Sequence, residues 1–378
     1  MSDASNPVTG AQQFRCQDYV FELLGESELV AELEALFLDL ATISIAKPHA
    51  WTIEVDREQA RVVIDGDDVK PWVNSGNFAA HVISTLTIAM IAGHSSKLHA
   101  HAASVVHDGR SMLLVAPSGS GKSTLTCALV AAGAQYRTDE AVAIDPDRLD
   151  IVTFPKPISV KKFGIQEVKR LTGLSPPHGA TTWEIAASSF GSVAADGDYP
   201  VTTIAFNSYT PSEPTCVEPL HRASAVHRIL SDSQDTEMHG PKSLAVVAGL
   251  TRTAQCLRVA GSDSADVARA LLEAHQLVVD PGELTMVEPP LQGLGRARRH
   301  DVCSVVIDGR AVLYTPEPYR LVELDDAQTL WWLLLDGTRF DDTVDEIVHA
   351  TGSPRASVVA TGRACIEGFQ SLDLLSSP

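Results

Sequence analysis

Residues 116–124 read Ala-Pro-Ser-Gly-Ser-Gly-Lys-Ser-Thr, and this run is the one stretch whose residue order by itself specifies a chemistry. Gly119 and Gly121 allow backbone dihedral angles at which a side chain would clash, so consecutive N–H groups can point at phosphate oxygens. A helix that begins directly after such a loop favours the same anion, because its N-terminus carries partial positive charge. The run therefore predicts a binding site for a nucleoside triphosphate.

The segments on either side of the loop fit this prediction. Residues 111–115 are mostly apolar and read as a buried strand, and residues 124–132 read as a helix that ends at Gly133. A phosphate-binding loop needs a strand before it and a helix after it. The alternative is a Gly/Ser-rich turn that matches the motif by chance, and the flanking strand and helix disfavour it.

Each polar residue of the loop has an expected role. Lys122 would reach the β- and γ-phosphates, and the Ser123 hydroxyl would help to coordinate the Mg²⁺ that bridges them. We therefore expect ATP and Mg²⁺ as cofactors. The residues expected to line the nucleotide site are Ser118, Gly119, Ser120, Gly121, Lys122, Ser123 and Thr124.

Three residues outside the loop could supply the other groups that phosphoryl transfer requires. Attack by a neutral hydroxyl on a γ-phosphoryl group needs an acceptor for the proton and compensation of the charge around the transferring group. Asp139 is the candidate for the base or hydroxyl-orienting group, and Glu140 for a Mg²⁺ ligand, directly or through water. His101 could orient the carboxylate or contact the phosphate. Taken alone, the acidic pair could also form a solvated turn, and His101 could be satisfied by backbone groups at the start of a strand.

Composition and charge exclude several other classes of protein. The chain has 378 residues, of which 44% are hydrophobic and 20% charged, so it is long enough for about two globular domains. Its formal net charge of −19 argues against nucleic acid or an anionic membrane surface as a partner. The six cysteines are scattered without metal-site spacing, which predicts reduced thiols rather than disulfides.

Nothing in the sequence reads as a targeting or membrane segment. The N-terminal residues lack the basic and apolar regions of a signal peptide. The most apolar stretch, at 82–92, is shorter than the roughly 20 residues that a membrane-spanning helix needs, and it predicts a buried core helix. We therefore expect a cytoplasmic protein with neither a membrane nor a nucleic acid as its partner.

The pattern of apolar and polar residues also divides the chain. Residues 171–200 have little periodicity, which predicts a loop and a candidate lid. The expected segments are a mixed α/β part at 1–95, an α/β nucleotide-binding domain at 96–280, a Pro-, Gly- and Arg-containing linker at 281–299, and a small α+β module at 300–378.

The C-terminal module reads as three strands followed by three helices. An Asp-Gly turn at 308–309 predicts a hairpin, and residues 321–324 a third strand. Asp325 and Asp342 are the predicted N-caps of the first two helices, and Ser353-Pro354 precedes the third. This is a winged-helix-like pattern. A DNA-binding role is disfavoured because the last helix offers only Arg363 as a cation.

Two adjacent tryptophans mark the first helix of this module. Side chains of neighbouring helical residues diverge by about 100°, so one of Trp331 and Trp332 is expected to pack inward while the other rests at the edge of the core.

The region from residue 98 to residue 140 resembles the HPr kinase/phosphorylase superfamily, in particular its smaller bacterial relatives that act on serine side chains. The resemblance rests on spacing: His101 lies 21 residues before Lys122, and Asp139 and Glu140 lie 17 and 18 residues after it. It implies an α/β P-loop kinase core in which Asp139, His101 and Lys122 are catalytic and Ser123 and Glu140 hold the metal. It assigns no position to a second Mg²⁺-binding carboxylate or to the phosphate-clamping Arg of the larger HPr kinases.

Residues 300–378 resemble the PqqD-like peptide-recognition domains of ribosomal peptide biosynthesis. The matching features are the strand at 311–316, the strand at 321–325 that leads into the Trp331-Trp332 helix, and the helix at 343–348. The resemblance implies that a leader peptide binds as an added strand on the exposed edge of the three-stranded sheet, against the last helix. Together the two resemblances imply an ATP-dependent kinase of a Ser or Thr hydroxyl in a precursor peptide.

Two other functions remain open at this point. The chain could be a kinase or phosphorylase of a carrier protein or of free serine, with a C-terminal module that serves regulation or oligomerisation. It could also be a non-catalytic peptide chaperone that binds nucleotide as a structural ligand. The larger relatives assemble into rings, so a homo-oligomer is also left open.

Overall fold

The computed structural model describes residues 12–16, 19–41, 49–59, 61–69, 77–93, 96–288 and 297–376. The chain folds into two compact units, and each is built from two separate stretches of sequence. The first comprises Met1–Glu218 and Leu257–Val278, and the second comprises Pro219–Cys256 and Val279–Pro378. Sheets and helices are mixed throughout the described residues, so the prediction of a mixed α/β protein is confirmed.

The N-terminal part of the first unit is a five-stranded sheet with two helices. In this sheet β2 and β3 run parallel and the other neighbours antiparallel. Phenylalanines at 14, 21 and 37 pack with apolar residues of both helices. The elements are β1 (Phe14–Cys16), β2 (Tyr19–Gly25), α1 (Ser27–Leu36), β3 (His49–Asp56), β4 (Arg61–Ile64), β5 (Asp67–Asp68) and α2 (Phe78–Gly93).

The middle of the chain supplies the phosphate-binding loop and the elements around it. The loop lies between the second strand and the first helix of this stretch, as the motif predicts. The elements are β6 (Leu98–His107), β7 (Arg110–Val115), α3 (Lys122–Ala131), β8 (Gln135–Thr138), β9 (Ala141–Ile144), β10 (Ile151–Val152), β11 (Ile158–Lys161), α4 (Ile165–Thr172), β12 (Thr182–Ile185), β13 (Ser192–Val193), β14 (Val201–Tyr209), β15 (Cys216–Pro219), α5 (Arg222–Ser231), α6 (Thr236–His239), α7 (Pro241–Thr253), β16 (Gln255–Gly261) and α8 (Ser264–His275).

The central sheet has nine strands, and the strand that leads into the loop lies in its interior. Its main order is β10-β9-β6-β7-β14-β16-β15, with β8 paired to β6 and β13 paired to β8. Strand β7 is fully buried from Ser111 to Val115, pairs antiparallel with β6 and parallel with β14, and ends where the loop begins. Helix α3 is buried on nearly every side, since residues 125–130 are all buried, and it contacts the sheet, α4 and α8, so the loop is fixed between a buried strand and a buried helix.

The segment at 171–200, predicted to be a loop, contains ordered structure. Strand β12 pairs antiparallel with β11, and β13 pairs parallel with β8. Trp183 and Ile185 of β12 are buried in the core around α3, while the residue between them points the other way. The alternation covers only four residues, which is too short for a periodicity signal in the sequence.

The second unit contains α5, α6 and α7 together with the C-terminal elements. Its sheet has four strands in the order β17-β18-β19-β20, all antiparallel, so the predicted three-stranded sheet gains a strand from residues before 289. Residues 289–296 of the predicted linker lie outside the described residues. The elements are β17 (Leu284–Val287), β18 (Cys303–Ile307), β19 (Arg310–Pro316), β20 (Tyr319–Glu323), α9 (Asp326–Leu334), α10 (Phe340–Thr351) and α11 (Arg355–Ser371).

Both faces of this sheet are covered within the second unit. Ala311 and Leu313 pack towards α9, α10 and α11. Val312 and Tyr314 alternate with them along β19 and are also buried, on the face that α5 and α7 contact. Residues 219–256 fall within the nucleotide-binding domain predicted at 96–280, yet their helices pack with the C-terminal sheet.

Two details of the C-terminal helices differ from the prediction. Asp325 caps α9 in a capping box with Gln328, as expected, but α10 begins at Phe340 after Arg339 rather than at a cap formed by Asp342. Trp331 and Trp332 are both buried, at 2% and 0% exposure. The prediction that one rests at the edge is wrong because α9 is covered on two sides.

The surroundings of the two tryptophans show how both are covered. Trp332 donates to Ser304 Oγ on β18 at 3.1 Å, and Trp331 stacks on Phe340 with ring centroids 5.5 Å apart. A Cβ at Gly362 would lie 2.3 Å from the Trp331 ring, so glycine at this position lets α11 approach α9 closely.

None of the helices in the described residues is long and apolar enough to cross a membrane. Helix α2 contains the apolar stretch at 82–92 and is buried against the N-terminal sheet, as predicted. Five cysteines of the described residues are free thiols, at positions 127, 216, 256, 303 and 365.

Candidate active site

The phosphate-binding loop has the backbone geometry that its sequence predicts. Gly119 and Gly121 have φ angles of +87° and +89°, which side-chain-bearing residues rarely adopt. Gly121 is also the residue that precedes α3. Asn207, at the end of β14, donates from Nδ2 to the Ser120 carbonyl at 2.8 Å and so ties the loop to the neighbouring parallel strand. The loop is therefore held in a conformation that its two glycines make accessible.

Lys122 lies inside the loop. Its side chain is only 7% exposed, and its Nζ donates to the His101 carbonyl at 3.1 Å and to the Ala116 carbonyl at 3.5 Å. These two carbonyls hold the ammonium inside the loop, where a phosphate anion would be a stronger, charge-assisted partner.

The central sheet brings His101 to the acidic pair. Strand β6 pairs with β8 through Ser104 and Thr138, and with β9 through His101 and Ala141. Asp139 and Glu140 form the short connection between β8 and β9. They therefore lie beside the part of β6 where its pairing partner changes from β9 to β8. The sheet thus places the three predicted residues next to the lysine of the loop.

Asp139 is the centre of a hydrogen-bond network at the start of α3. Its side chain is 2% exposed and accepts from three groups. Ser123 Oγ donates to Oδ2 at 3.0 Å, Tyr136 Oη donates to Oδ1 at 3.1 Å, and Lys156 Nζ donates to Oδ1 at 2.5 Å. The predicted metal-binding hydroxyl and the predicted base are therefore in direct contact.

Lys156 is a site residue that the sequence analysis missed. It is fully surrounded by protein, forms ion pairs with Asp139 at 2.5 Å and Glu140 at 3.4 Å, and also donates to the Pro157 carbonyl. Burial acts to lower the pKa of its ammonium, but the two carboxylates outweigh burial and raise that pKa above the usual lysine range. Lys156 is therefore a permanent cation that compensates the acidic pair.

Tyr136 completes the buried side of the network. Burial and the adjacent Asp139 raise the pKa of its phenol well above the usual value, so the hydroxyl keeps its proton. Its oxygen also lies 2.8 Å from the Lys156 carbonyl. A protonated tyrosine at this position fixes the orientation of the Asp139 carboxylate without competing for its negative charge.

Glu184 is a third carboxyl group beside this cluster, and it too was missed. It lies on β12 opposite Ser159 of β11, whose hydroxyl donates to its Oε2 at 2.5 Å. The residue is partly exposed, but its Oε1 is buried and has no hydrogen-bond partner among the described residues. Burial raises the pKa of this carboxyl to about 7, against the opposing effects of Ser159 and Lys156, and the nearby Asp139 and Glu140 raise it further.

These side chains suit a Mg²⁺ ion. Ser123, Asp139, Glu140 and Glu184 offer hard oxygen donors, and the unpartnered Glu184 oxygen would gain a favourable interaction from a cation. In the described part of the chain, no group of three His, Cys, Asp or Glu side chains could hold a metal ion by itself. Magnesium usually takes only one or two protein carboxylates and completes its shell with phosphate and water.

The second unit carries the surface on which peptide binding was predicted. Strand β17 lies along one edge of the four-stranded sheet, and β20 forms the other edge. All five residues of β20 are half-buried, and Arg320 donates to the Leu372 carbonyl, just after α11, at 2.6 Å. Arg320 thus links the edge strand to the residue that follows the last helix.

Comparisons with known proteins find solved structures only. No family model matches the chain, and no curated protein matches it. A structure of TbiB1 in complex with the TbiA(beta) leader peptide is 25% identical, and the match covers 22% of this chain and 96% of that chain with a TM-score of 0.21. The HPr(Ser) kinase/phosphatase from Coxiella burnetii is 15% identical, and the match covers 47% of this chain and 95% of that chain with a TM-score of 0.24.

Proposed function

We propose that this chain is an ATP-dependent kinase that transfers the γ-phosphoryl group of ATP to a Ser or Thr hydroxyl of a ribosomally made precursor peptide. The observation that carries the proposal is the network of Ser123, Asp139 and Lys156 at the end of the phosphate-binding loop. A Gly/Ser-rich turn with no catalytic role has no reason to bury an aspartate and a lysine against its last serine, because burying charges is costly.

In this proposal the loop binds the phosphates of ATP. The backbone N–H groups of residues 118–124 face the phosphate oxygens, and Lys122 contacts the β- and γ-phosphates. Ser123 and Glu140 hold Mg²⁺, with Glu184 as a further carboxylate beside them. When bound, the metal neutralises charge that develops on the phosphate oxygens.

Asp139 acts on the hydroxyl of the substrate. That hydroxyl oxygen forms a bond to the γ-phosphorus while the bond between the γ-phosphorus and the β,γ-bridging oxygen breaks, and ADP leaves with the electron pair. The proton of the hydroxyl passes to the Asp139 carboxylate, whose orientation Tyr136 and Lys156 fix. His101 lies beside the same connection on β6 and orients the carboxylate or contacts the phosphate.

The C-terminal module selects the peptide. The leader adds as an antiparallel strand to the edge of β20 against α11, so that the backbone supplies affinity and side-chain pockets supply sequence choice. The proposal uses the domain limits predicted from the sequence, which are 1–95, 96–280, 281–299 and 300–378. Because α5 and α7 pack on the same sheet, we assign residues 219–256 to the peptide-binding half instead of to the 96–280 segment.

The direct test is incubation of the protein with ATP, Mg²⁺ and the precursor peptides encoded near its gene, followed by mass spectrometry. We expect the mass of one or more phosphates on a Ser or Thr of the peptide, and no transfer by Lys122→Ala, whose folding circular dichroism would verify. Free serine and candidate carrier proteins serve as competing substrates. Phosphorylation of either in preference to every peptide would contradict the proposal. Nucleotide binding without any transfer would instead indicate a non-catalytic chaperone.

A further inference from the structure

A short turn after β11 rests on the phosphate-binding loop. Lys161, the last residue of β11, donates from Nζ to Ser118 Oγ at 2.6 Å. Its neighbour Lys162 is also exposed, and its side chain forms no hydrogen bond or ion pair in the described residues. Of the two consecutive lysines, the structure therefore directs one to the loop.

The turn is held in place by a close backbone contact. A Cβ at Gly164 would lie 2.6 Å from Thr124 Oγ1 and 3.2 Å from Val160 Cγ1, so the chain passes directly over the first turn of α3. The Gly164 N–H also donates to the Lys161 carbonyl at 2.8 Å, which closes the turn. The turn thus lies against the loop and its helix through two contacts, one between Lys161 and Ser118 and one between Gly164 and Thr124.

The charge of Lys161 is not neutralised by any carboxylate in the part of the chain that the structure describes. Among the described residues no Asp or Glu oxygen lies within ion-pair distance of its Nζ, although the chain carries a net charge of −19. Lys156, by contrast, is paired with two carboxylates. A cation held over a phosphate-binding loop by a neutral hydroxyl can exchange that hydroxyl for a phosphate oxygen, which is the stronger, charge-assisted partner.

Ser118 stands four residues before Lys122, in the part of the loop whose N–H groups face the phosphates. Lys122 enters from α3 and Lys161 enters from β11, so two cations reach the loop from different elements. We propose that Lys161 is a phosphate clamp: it binds the terminal phosphate of ATP and stabilises the charge on the phosphoryl group as it is transferred. The transfer part of this inference rests on the proposed function, whereas the binding part does not.

The test compares nucleotides that differ in the terminal phosphate. Dissociation constants for a non-hydrolysable ATP analogue and for ADP are measured by calorimetry on the full chain, for wild type, Lys161→Ala, Lys161→Arg and the matched control Lys162→Ala. We expect Lys161→Ala to weaken binding of the ATP analogue on the order of tenfold while ADP changes by less than about threefold. Lys161→Arg should retain most of the preference for ATP, and Lys162→Ala should behave as wild type.

Equal losses for the ATP analogue and ADP, or equal effects of Lys161→Ala and Lys162→Ala, would overturn the clamp. The clamp and the proposed function can fail separately. If peptide phosphorylation is found and Lys161→Ala leaves both binding and turnover unchanged, the clamp is wrong and the kinase stands. If the ATP preference depends on Lys161 but no peptide is phosphorylated, the clamp stands and the peptide-kinase proposal fails.

Discussion

Lys156 Nζ lies 2.5 Å from Asp139 Oδ1, and both side chains are almost completely buried. A buried ion pair contributes little net stability, since the loss of hydration opposes the attraction, but removal of one partner leaves an uncompensated charge in the protein interior. The pair therefore makes Asp139, the proposed base, dependent on a lysine that lies 17 residues further along the chain.

We expect Lys156→Met to destabilise the protein by about 3–5 kcal/mol and to reduce transfer severely, because Asp139 would be buried without its cation. Unfolding by urea and the transfer assay measure the two effects, with the exposed Lys162→Met as the control. The double variant Lys156→Met/Asp139→Asn should recover part of the stability but none of the activity. If Lys156→Met and Lys162→Met are equally stable, the ion pair does not have this role.

Asp139→Asn and Glu140→Gln should have different kinetic effects. Asp139→Asn removes the proton acceptor, and general-base assistance is typically worth about 10²–10⁴ in rate, so we expect at least about a hundredfold lower kcat with ATP binding retained. Glu140→Gln should instead raise the Mg²⁺ concentration required for half-maximal activity. A Mg²⁺ titration of both variants measures this, and identical behaviour would show that the division of roles is wrong.

Much of this site follows from the sequence, and the part that does not has a physical reason. The loop residues, the strand before them and the helix after them are local in sequence. The spacing relative to Lys122 identifies His101, on β6, and Asp139, in the connection between β8 and β9. Lys156 and Glu184 carry no such signal. Glu184 reaches the cluster only because β12 pairs with β11 across a separation of 25 residues, and a short strand with four residues gives no clear periodicity.

The C-terminal sheet shows the same limit on a larger scale. Its hairpin and the capped α9 were predictable, since an Asp-Gly turn and the cap at Asp325 are local signals. The pairing of β17 and the covering of the second face by α5 and α7 join segments that are far apart in sequence. A strand that is apolar on both faces, as β19 is, indicates that a layer of structure covers each face of the sheet. It does not indicate which helices form those layers.

The buried carboxyl of Glu184 should make stability depend on pH. Its pKa is raised from 4.5 to about 7 in the folded protein, so the folded state holds this proton more tightly than the unfolded chain does. The contribution to the free energy of unfolding is therefore complete below about pH 4.5 and is lost as the pH rises through about 7. We expect Glu184→Gln to match wild type at pH 5 and to exceed it by on the order of 2–3 kcal/mol at pH 8, in urea unfolding without nucleotide or Mg²⁺.

The sign of this difference distinguishes two explanations. If Glu184 were stabilised as a carboxylate by Lys156, Glu184→Gln would be less stable than wild type at pH 8. Addition of Mg²⁺ and a non-hydrolysable ATP analogue provides a second check, because a cation near the Glu184 oxygen favours the ionised form and should reduce the pH dependence of wild type.

The last prediction concerns the edge of β20 as the binding site of the leader. Deleting residues 300–378 is a poor test, because α5 and α7 pack on the same sheet and their apolar faces would be uncovered. Removing the leader from the peptide leaves the enzyme intact. We expect the leaderless peptide to have a much higher KM and nearly the same kcat, since the leader contributes binding made equally in the ground and transition states.

The isolated leader should bind the protein without ATP and should inhibit phosphorylation of the full peptide competitively, because both occupy the same strand edge. A leader of the same composition in scrambled order is the matched control. A proline scan of the leader then tests the mode of binding: proline removes one backbone N–H, so substitutions at alternate positions should weaken binding more than those between them. A uniform effect along the leader, or an unchanged KM for the leaderless peptide, would contradict strand addition and favour a carrier protein or free serine as the substrate.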